Sequence, residues 1–211
     1  GHCQSNPVDV VGHLLAQQPG KAIRTQHHPA MPWRDIPEFV KTHLKPGNRP
    51  EVSRTLLEFI ILTACRSGEA RGMTWAEVDL KNAIWTIPSE RMKAKMLHRI
   101  PLSPRALQIL EGQKDQHESL VFPSIRDQVE LSDMAITALL RRMKAPSDTP
   151  GRVATTHGFR SSFRDWCSEK GYSRDLAERS LAHTIKDKVE AAYHRTDLLE
   201  QRRELMYAWA S

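Results

Sequence analysis

The sequence predicts a mainly α-helical domain that carries a small three-stranded antiparallel β-sheet, an α+β fold. From Trp33 onward most segments repeat apolar residues at the 3.6-residue spacing of helices. One interval, between residues 83 and 102, changes to the two-residue period of strands. No alternation of strands with long helices follows, so a doubly wound parallel sheet is excluded.

The first part of the predicted fold consists of three helical segments. The first begins after Asp35, which can cap a helix, carries Pro37 in its first turn and ends near Lys45. The second extends over Glu51–Cys65, and its apolar residues cover most of its circumference, which predicts a central position in the core. A short helical turn is expected over Glu69–Met73.

Three short strands are expected next, over Ala83–Pro88, Arg91–Lys95 and His98–Leu102, with a turn at Met96-Leu97 between the last two. The tips of this sheet are basic. The remaining chain returns to helical spacing. Helices are predicted over Ser103–Lys114, Ser132–Lys144, Thr156–Lys170, Arg174–Leu181, Lys186–His194 and Leu198–Ala210.

The composition favours a cytoplasmic protein with an anionic partner. Lys and Arg number 31 against 25 Asp and Glu, a net charge of +6, which favours nucleic acid without requiring it. No apolar stretch is long enough to span a membrane and no secretion signal opens the chain, so no membrane partner is predicted. Three distant cysteines and ten scattered histidines predict neither a disulfide framework nor a metal site.

Residues 1–32 form a predicted linker, or a strap over the surface, because they are rich in Pro, Gly, Gln and His and lack a sustained period. Gly1-His2 resemble the remnant of an expression tag. The predicted folded domain comprises residues 33–211. A chain that opens with a linker suggests that another segment preceded it in the natural protein.

Two candidate functional residues lie in the first half of this domain. Arg66 follows an apolar helix, and an arginine buried near a core is costly unless an anion accompanies it. A phosphate is one such anion, whereas an ion pair with Glu69, three residues later, is the structural alternative. Lys93 lies in the basic hairpin, where it can reach a DNA backbone or act as a solvated edge charge.

The second half supplies three more candidate segments. His157 and Arg160 are three residues apart on a predicted helix and therefore share a face. The histidine can transfer a proton there while the planar fork of the arginine binds phosphate oxygens. His183 ends a predicted helix, where it can act chemically or cap the terminus. Tyr193 is a candidate nucleophile or a residue at the edge of the core.

The order Arg, Lys, His-x-x-Arg, His and Tyr resembles the tyrosine recombinases, the phage-integrase family. The segment TACRSGEARGMTWAEVDL is similar to the family's first arginine box, and MKAKMLHRIPLS to its β-hairpin lysine segment. THGFRSSFRDW and LAHTIKDKVEAAYHR are similar to its second box. The HHPAMPW lead-in and the AYHRTDLLEQRRELMYAW ending resemble integrases of phages and genomic islands that insert at tRNA genes. The resemblance extends from about His27 to the end of the chain and implies the family's catalytic-domain fold.

The resemblance implies that the protein breaks and rejoins DNA strands as a site-specific recombinase. Arg66 and Arg160 would bind the non-bridging oxygens of the scissile phosphate, and Glu69 would support Arg66. Fixed cations suit this role because phosphoryl transfer places negative charge on those oxygens.

Proton transfer and nucleophilic attack are implied for the other four residues. Lys93 would protonate the 5′-oxygen leaving group, and His157 would assist proton transfer at the nucleophile. His183 would hydrogen-bond the phosphate. Tyr193 would attack phosphorus to give a 3′-phosphotyrosyl bond, without metal, cofactor or ATP. Because a free tyrosine has a pKa near 10, neighbouring cations and a base must activate it.

The resemblance also implies partners and a cellular setting. Double-stranded DNA attachment sites are the expected partner, bound by a tetramer whose subunits are monomeric when free. DNA-bending accessory proteins are further candidate partners, and the expected location is the bacterial cytoplasm, in association with the nucleoid. The separate core-binding and arm-binding domains that precede this domain in family members are expected to be absent from this chain.

Four alternatives predict different chemistry. Type IB topoisomerases use a similar residue set for DNA relaxation, but that family usually has a lysine or arginine where this chain has His157. A non-catalytic DNA-binding module is disfavoured by the intact catalytic positions. A helix-turn-helix regulator leaves the basic hairpin and the spaced boxes unexplained. A metal-dependent nuclease needs clustered carboxylates, and no Asp or Glu pair here has that arrangement.

Overall fold

The computed structural model describes residues 27–44, 51–126, 128–183 and 196–211. The predicted helix over Lys186–His194, with Tyr193, therefore lies outside the described residues. The α-helices within the described ranges are α1 (Ile36–Phe39), α2 (Val52–Thr63), α3 (Ser67–Arg71), α4 (Pro104–Gln113), α5 (Met134–Arg142), α6 (Gly158–Glu169), α7 (Arg174–Ser180) and α8 (Leu199–Trp209). A 3₁₀ turn, Trp33–Asp35, precedes α1, and a π-helical turn, Val40–Leu44, follows it.

The sheet contains three antiparallel strands, β1 (Val78–Asp79), β2 (Ile84–Ile87) and β3 (His98–Pro101), in the order β1-β2-β3. Trp85 on β2 pairs with Ile100 on β3, and both side chains are buried. The strand count agrees with the prediction, but the identity of one strand does not.

The prediction of a strand over Arg91–Lys95 is wrong. Residues Ser89–Arg91 form a 3₁₀ turn, and turn bonds continue as the N–H of Met92 donates to Ser89 and that of Lys95 donates to Met92. The Arg91 side chain is directed inward, where it forms an ion pair with Glu77. This region is thus the connection between β2 and β3, and the third strand is β1, which comes earlier in the chain.

Helix α2 occupies the centre of the main core, as its apolar circumference predicts. Leu56, Leu57, Phe59 and Ile60 are all fully buried. The ring of Phe59 contacts those of Trp85 on β2, at a centroid distance of 5.7 Å, and Phe122, at 5.3 Å. The sheet is therefore fixed against α2, and the loop at the end of α2 has a rigid base.

A second apolar cluster joins α6, α7 and α8. Phe163 and Trp166 of α6 pack with Leu205 of α8, and the rings of Trp166 and Trp209 lie 5.2 Å apart. The indole N–H of Trp209 also donates to the carbonyl of Ile61 on α2 at 2.7 Å. Helix α8 thereby holds α6 against α2, so that the first turn of α6 meets the end of α2.

Residues 27–32, which we call the strap, are extended and packed against the helical body. Met31 is fully buried and belongs to the main core. The N–H of Ala30 donates to the Asp148 carboxylate at 3.0 Å, and the Asp148 N–H donates to the carbonyl of Ala30 at 2.8 Å. The strap is therefore part of the folded domain. No helix in the described ranges has the length and apolar character that a membrane span requires.

Candidate active site

The end of α2 places Arg66. Ala64 adopts a left-handed conformation, with φ of 49°, which ends the helix and redirects the chain. Arg66 then caps the start of α3, and the buried Glu69 binds it twice. One carboxylate oxygen accepts the backbone N–H of Arg66 at 2.8 Å, and the other accepts its Nη1 at 2.7 Å. The predicted Arg66–Glu69 ion pair is present, and it fixes the direction of the guanidinium.

Arg160 lies in the first turn of α6 and is only 3% exposed. Its Nη1 donates to the carbonyl of Ala64 at 2.6 Å, and its Nη2 donates to the carbonyl of Leu181 at 2.6 Å. Its Nε is buried without a hydrogen-bond partner among the described residues. Burial, and then the positive charge of Arg66, lower the pKa of Arg160 to about 10, so the side chain stays cationic at neutral pH.

The segment after α7 connects the two arginines. The carbonyl of Leu181 binds Arg160, the carbonyl of Ala182 accepts Arg66 Nη2 at 3.2 Å, and Nε2 of His183 lies 3.1 Å from Arg160 Nη2. Ala182 has a φ of 49°, so this backbone is strained by about 1 kcal/mol. Three consecutive residues thus set the spacing of two guanidinium groups that come from distant parts of the chain.

His183 is oriented by a carboxylate that the sequence did not indicate. Its Nδ1 lies 2.6 Å from an Oε of Glu178, whose other oxygen accepts Arg164 Nε at 2.7 Å. Burial alone would raise the pKa of Glu178, but hydrogen bonds from Arg164 and His183 lower it below its ordinary value. An ionised Glu178 keeps a hydrogen on Nδ1 of His183 and leaves Nε2 to accept from Arg160.

His157 occupies the N-cap position of α6, without a capping hydrogen bond from its side chain, and its ring is partly exposed. The ring of His28, from the strap, lies 4.6 Å from it between centroids. Partial burial, and then the charges of His28, Arg160 and Arg66, lower the pKa of His157 to about 4. The ring is therefore neutral at physiological pH and able to accept a proton.

His157, Arg160 and His183 border one cleft of about 350 Å³, and Arg66 is not among its lining residues. Its lining includes His28, His157, Arg160, Arg164 and His183. Its size and the guanidinium groups of Arg160 and Arg164 suit an anionic group such as a phosphate, while the carboxylates of Asp148 and Asp165 also line the cleft. Cys65 and Cys167 are buried and unpaired, and burial raises the pKa of each thiol to about 12. In the described ranges, no three His, Cys, Asp or Glu side chains are grouped so that they could hold a metal ion.

The structure brings five of the seven predicted site residues into one neighbourhood: Arg66, Glu69, His157, Arg160 and His183. Lys93 is on the exposed loop between β2 and β3 and is not among the residues that line the cleft. Tyr193 lies outside the described residues.

Sequence patterns missed three residues around this site. Glu178 and His28 contact His183 and His157 respectively, and no fixed spacing relates His28 to its partner. His98 on β3 is buried, and its pKa is lowered to about 3 by burial and by the charges of Arg202 and Arg160. A signal for Glu178 was present in the sequence: it lies five residues before His183, near the end of the same predicted helix.

Comparison with known proteins gives one consistent family. The model of the phage integrase family matches residues 33–198. Prophage integrase IntA of Escherichia coli strain K12 is 34% identical over 197 residues, which are 90% of this chain and 46% of that protein. The integrase of Enterobacteria phage P4 is 32% identical over 227 residues, covering 99% of this chain and 49% of that protein. The chain thus spans about half the length of the curated relatives it matches.

Solved structures confirm the predicted fold. The integrase from mycobacterium phage Brujita has a TM-score of 0.61 at 17% identity, over 98% of this chain and 64% of that chain. A lambda integrase tetramer bound to a Holliday junction has a TM-score of 0.60 at 20% identity, over 89% of this chain and 54% of that chain. Since the family model matches most of the sequence and the fold agrees, the chain belongs to the phage integrase family.

Proposed function

We propose that this chain is the catalytic domain of a site-specific DNA recombinase that cleaves and rejoins strands through a 3′-phosphotyrosyl intermediate. The observation that carries the proposal is the pair Arg66 and Arg160, held together by the carbonyls of Leu181 and Ala182. The buried, unpartnered Nε of Arg160 is a hydrogen-bond donor for which a phosphate oxygen is a suitable acceptor.

The residues around the two arginines support a division of roles. Arg66 and Arg160 stabilise the charge that develops on the phosphate, and Glu69 holds Arg66 in place. His157, neutral because of its surroundings, accepts the phenolic proton of Tyr193 as the phenolate oxygen attacks phosphorus. His183 lies beside Arg160 at the same phosphate.

The leaving group requires an acid. As the bond from phosphorus to the 5′-oxygen breaks, Lys93 supplies the proton that forms the 5′-hydroxyl, which assigns it the role of general acid. The exposed position of Lys93 on the β2–β3 loop supports this role, because its ammonium group is accessible to bound DNA. Rejoining is the reverse reaction, with a 5′-hydroxyl as the attacking group.

Double-stranded DNA is the partner we propose for this surface. The matched lambda integrase is a tetramer on a Holliday junction, and the Tn1549 transposon integrase is in complex with circular intermediate DNA. By analogy we propose assembly as a tetramer on attachment-site DNA, DNA-bending accessory proteins as further partners, and action in the bacterial cytoplasm at the nucleoid. DNA binding should weaken steeply with salt, because phosphate contacts release counterions.

A covalent adduct between protein and DNA is the direct test. Attachment-site DNA nicked beside the cleavage position is incubated with the protein in EDTA without ATP, and the products are separated on a denaturing gel. Tyr193→Phe should form no adduct, whereas Tyr207→Phe, a matched change on α8, should form as much as the unmodified chain. Absence of an adduct from the unmodified chain would contradict the proposal and favour a DNA-binding module without catalysis.

A further inference from the structure

The strap crosses the start of α6 at very short range. The carbonyl of Pro29 accepts the N–H of Thr155 at 3.0 Å, and the hydroxyl of Ser162 donates to the carbonyl of Met31 at 2.5 Å. These bonds join the strap to the loop before α6 and to the second turn of that helix. They add to the two bonds between Ala30 and Asp148, so residues 29–31 of the strap are fixed against the helical body.

Gly158, the first residue of α6, permits this approach. A Cβ atom at this position would lie 2.1 Å from the carbonyl oxygen of Pro29 and 2.8 Å from the Cα of Ala30, both backbone atoms. A side chain of any size would therefore displace the strap. The glycine between His157 and the rest of α6 thus allows the strap to lie directly against the histidine.

Of the strap residues that line the cleft, which are His27, His28 and Ala30, it is His28 whose ring contacts His157. Its ring contacts that of His157 at 4.6 Å, with an angle of 55° between the ring planes. Both rings line the cleft together with Arg160 and His183. His28 is thus placed by contacts of the backbone that follows it, and it covers one side of the ring of His157.

We propose that His28 is a positioning residue of the active site: its ring confines the ring of His157 at the cleft, so that the strap takes part in catalysis. This inference rests on the proposed function, since it assigns His28 an effect on the proton transfer through His157. His28 itself neither gains nor loses a proton in the reaction.

The contact between His28 and His157 can be measured through the pKa of His157. Burial and the charge of His28 are the first two causes that lower the pKa of His157 to about 4. The other titratable and charged groups at the cleft are Arg66, Arg160, Arg164, His183, His27, Asp148 and Asp165. Removal of the His28 ring uncovers His157 and removes one repulsive charge, and both changes raise the pKa of His157.

The test combines histidine NMR with cleavage. The imidazole signals of the full 211-residue chain are titrated, and the His157 signal is assigned by its loss in His157→Gln. In His28→Ala the pKa of His157 should rise by at least about one unit toward 6.5, and single-turnover adduct formation at neutral pH should slow about tenfold. His28→Phe retains a ring and should restore most of the rate. His27→Ala, the neighbouring change, should leave the pKa of His157 where it is.

The possible results separate this inference from the proposed function. Unchanged His157 titration and unchanged cleavage in His28→Ala would overturn the role of His28 while the recombinase chemistry stands. A His28→Phe variant as slow as His28→Ala would overturn confinement by the ring. If the unmodified chain forms no adduct, the proposed function fails, and the catalytic role of His28 fails with it, whatever the titration shows about the contact.

Discussion

The close contact between the strap and α6 predicts that Gly158→Ala destabilises the fold. The added Cβ would overlap the backbone of Pro29 and Ala30, at 2.1 Å and 2.8 Å. Because backbone atoms cannot rotate away as a side chain can, the strap must shift as a unit. Forced packing of this kind costs about 1–3 kcal/mol when the surroundings relax.

Complete release of the strap sets the upper limit of the effect. It would break four hydrogen bonds, each worth about 1 kcal/mol: the two between Ala30 and Asp148, the one from Thr155 to Pro29 and the one from Ser162 to Met31. It would also expose the fully buried Met31, at about 2 kcal/mol. The expected loss in the free energy of unfolding therefore lies between about 1 and 6 kcal/mol, with about 3 kcal/mol as the central value.

Urea unfolding at neutral pH, followed by circular dichroism, measures this loss. Gly112→Ala is the matched control, because Gly112 is exposed in α4 and an added Cβ there meets no atom within 4 Å. Alanine favours a helix over glycine, so this control should stabilise the fold by up to about 1 kcal/mol. Opposite signs for the two variants are expected. A Gly158→Ala chain as stable as the unmodified chain would refute the packing of the strap against α6.

Three further predictions concern titratable groups in and near the site. Arg160→Lys keeps the charge but loses the planar fork, so adduct formation should fall at least about a hundredfold while DNA binding, measured by gel shift, changes little; equal losses in both would contradict the phosphate role. Glu178→Gln removes the carboxylate that orients His183, so adduct formation should slow about tenfold and the His183 imidazole signals should report a changed tautomer; an unchanged tautomer would refute the orienting role. The pKa of His98 is about 3 in the folded state, so below pH 6.5 the unfolded state binds a proton that the folded state does not. The free energy of unfolding should then fall by about 1.4 kcal/mol per pH unit between pH 6.5 and pH 3 on account of this residue, and His98→Gln should reduce that slope in urea unfolding at pH 7, 6 and 5; the same slope in both proteins would contradict the burial of a neutral His98.

The sequence predicted the helices well, because apolar spacing and capping residues can be recognised within a short stretch of sequence. The helix predicted over Glu51–Cys65 is α2 at Val52–Thr63, and the helix predicted to start at Ser103 has that residue as its cap, accepting the N–H of Ala106. The error in the strand prediction also comes from reliance on local sequence patterns. β1 has two residues, too few for a period to be visible, whereas the alternation in Arg91–Lys95 is overridden by the inward bond of Arg91 to Glu77.

Contacts within the site could be predicted only where they are local. Arg66 and Glu69 are three residues apart, and their ion pair follows from that spacing. The contact of His28 with His157 depends on a strap that returns to α6 from the other end of the chain. The carbonyls of Leu181 and Ala182 are equally invisible in the sequence, because a backbone acceptor carries no residue signature.

The partners of Arg160 differ from those of two ion-paired arginines, Arg99 and Arg105. Arg105 binds the carboxylate of Glu58 at 2.7 and 3.0 Å, and Arg99 binds that of Asp197 through two bonds of 2.8 Å. The hydrogen-bond acceptors of Arg160 in the described residues are two carbonyls and a histidine nitrogen. None of these acceptors carries a negative charge.

An arginine that is 3% exposed and has neutral acceptors is costly in the free protein, and its lowered pKa reflects that cost. A bound phosphate offsets it, most of all in the transition state, when charge on the phosphate oxygens is greatest. The neutral partners hold the guanidinium group in place without neutralising its positive charge. This arrangement suits preorganisation for an external anion, and it implies that a phosphate analogue bound in the cleft should stabilise the unmodified chain more than Arg160→Lys.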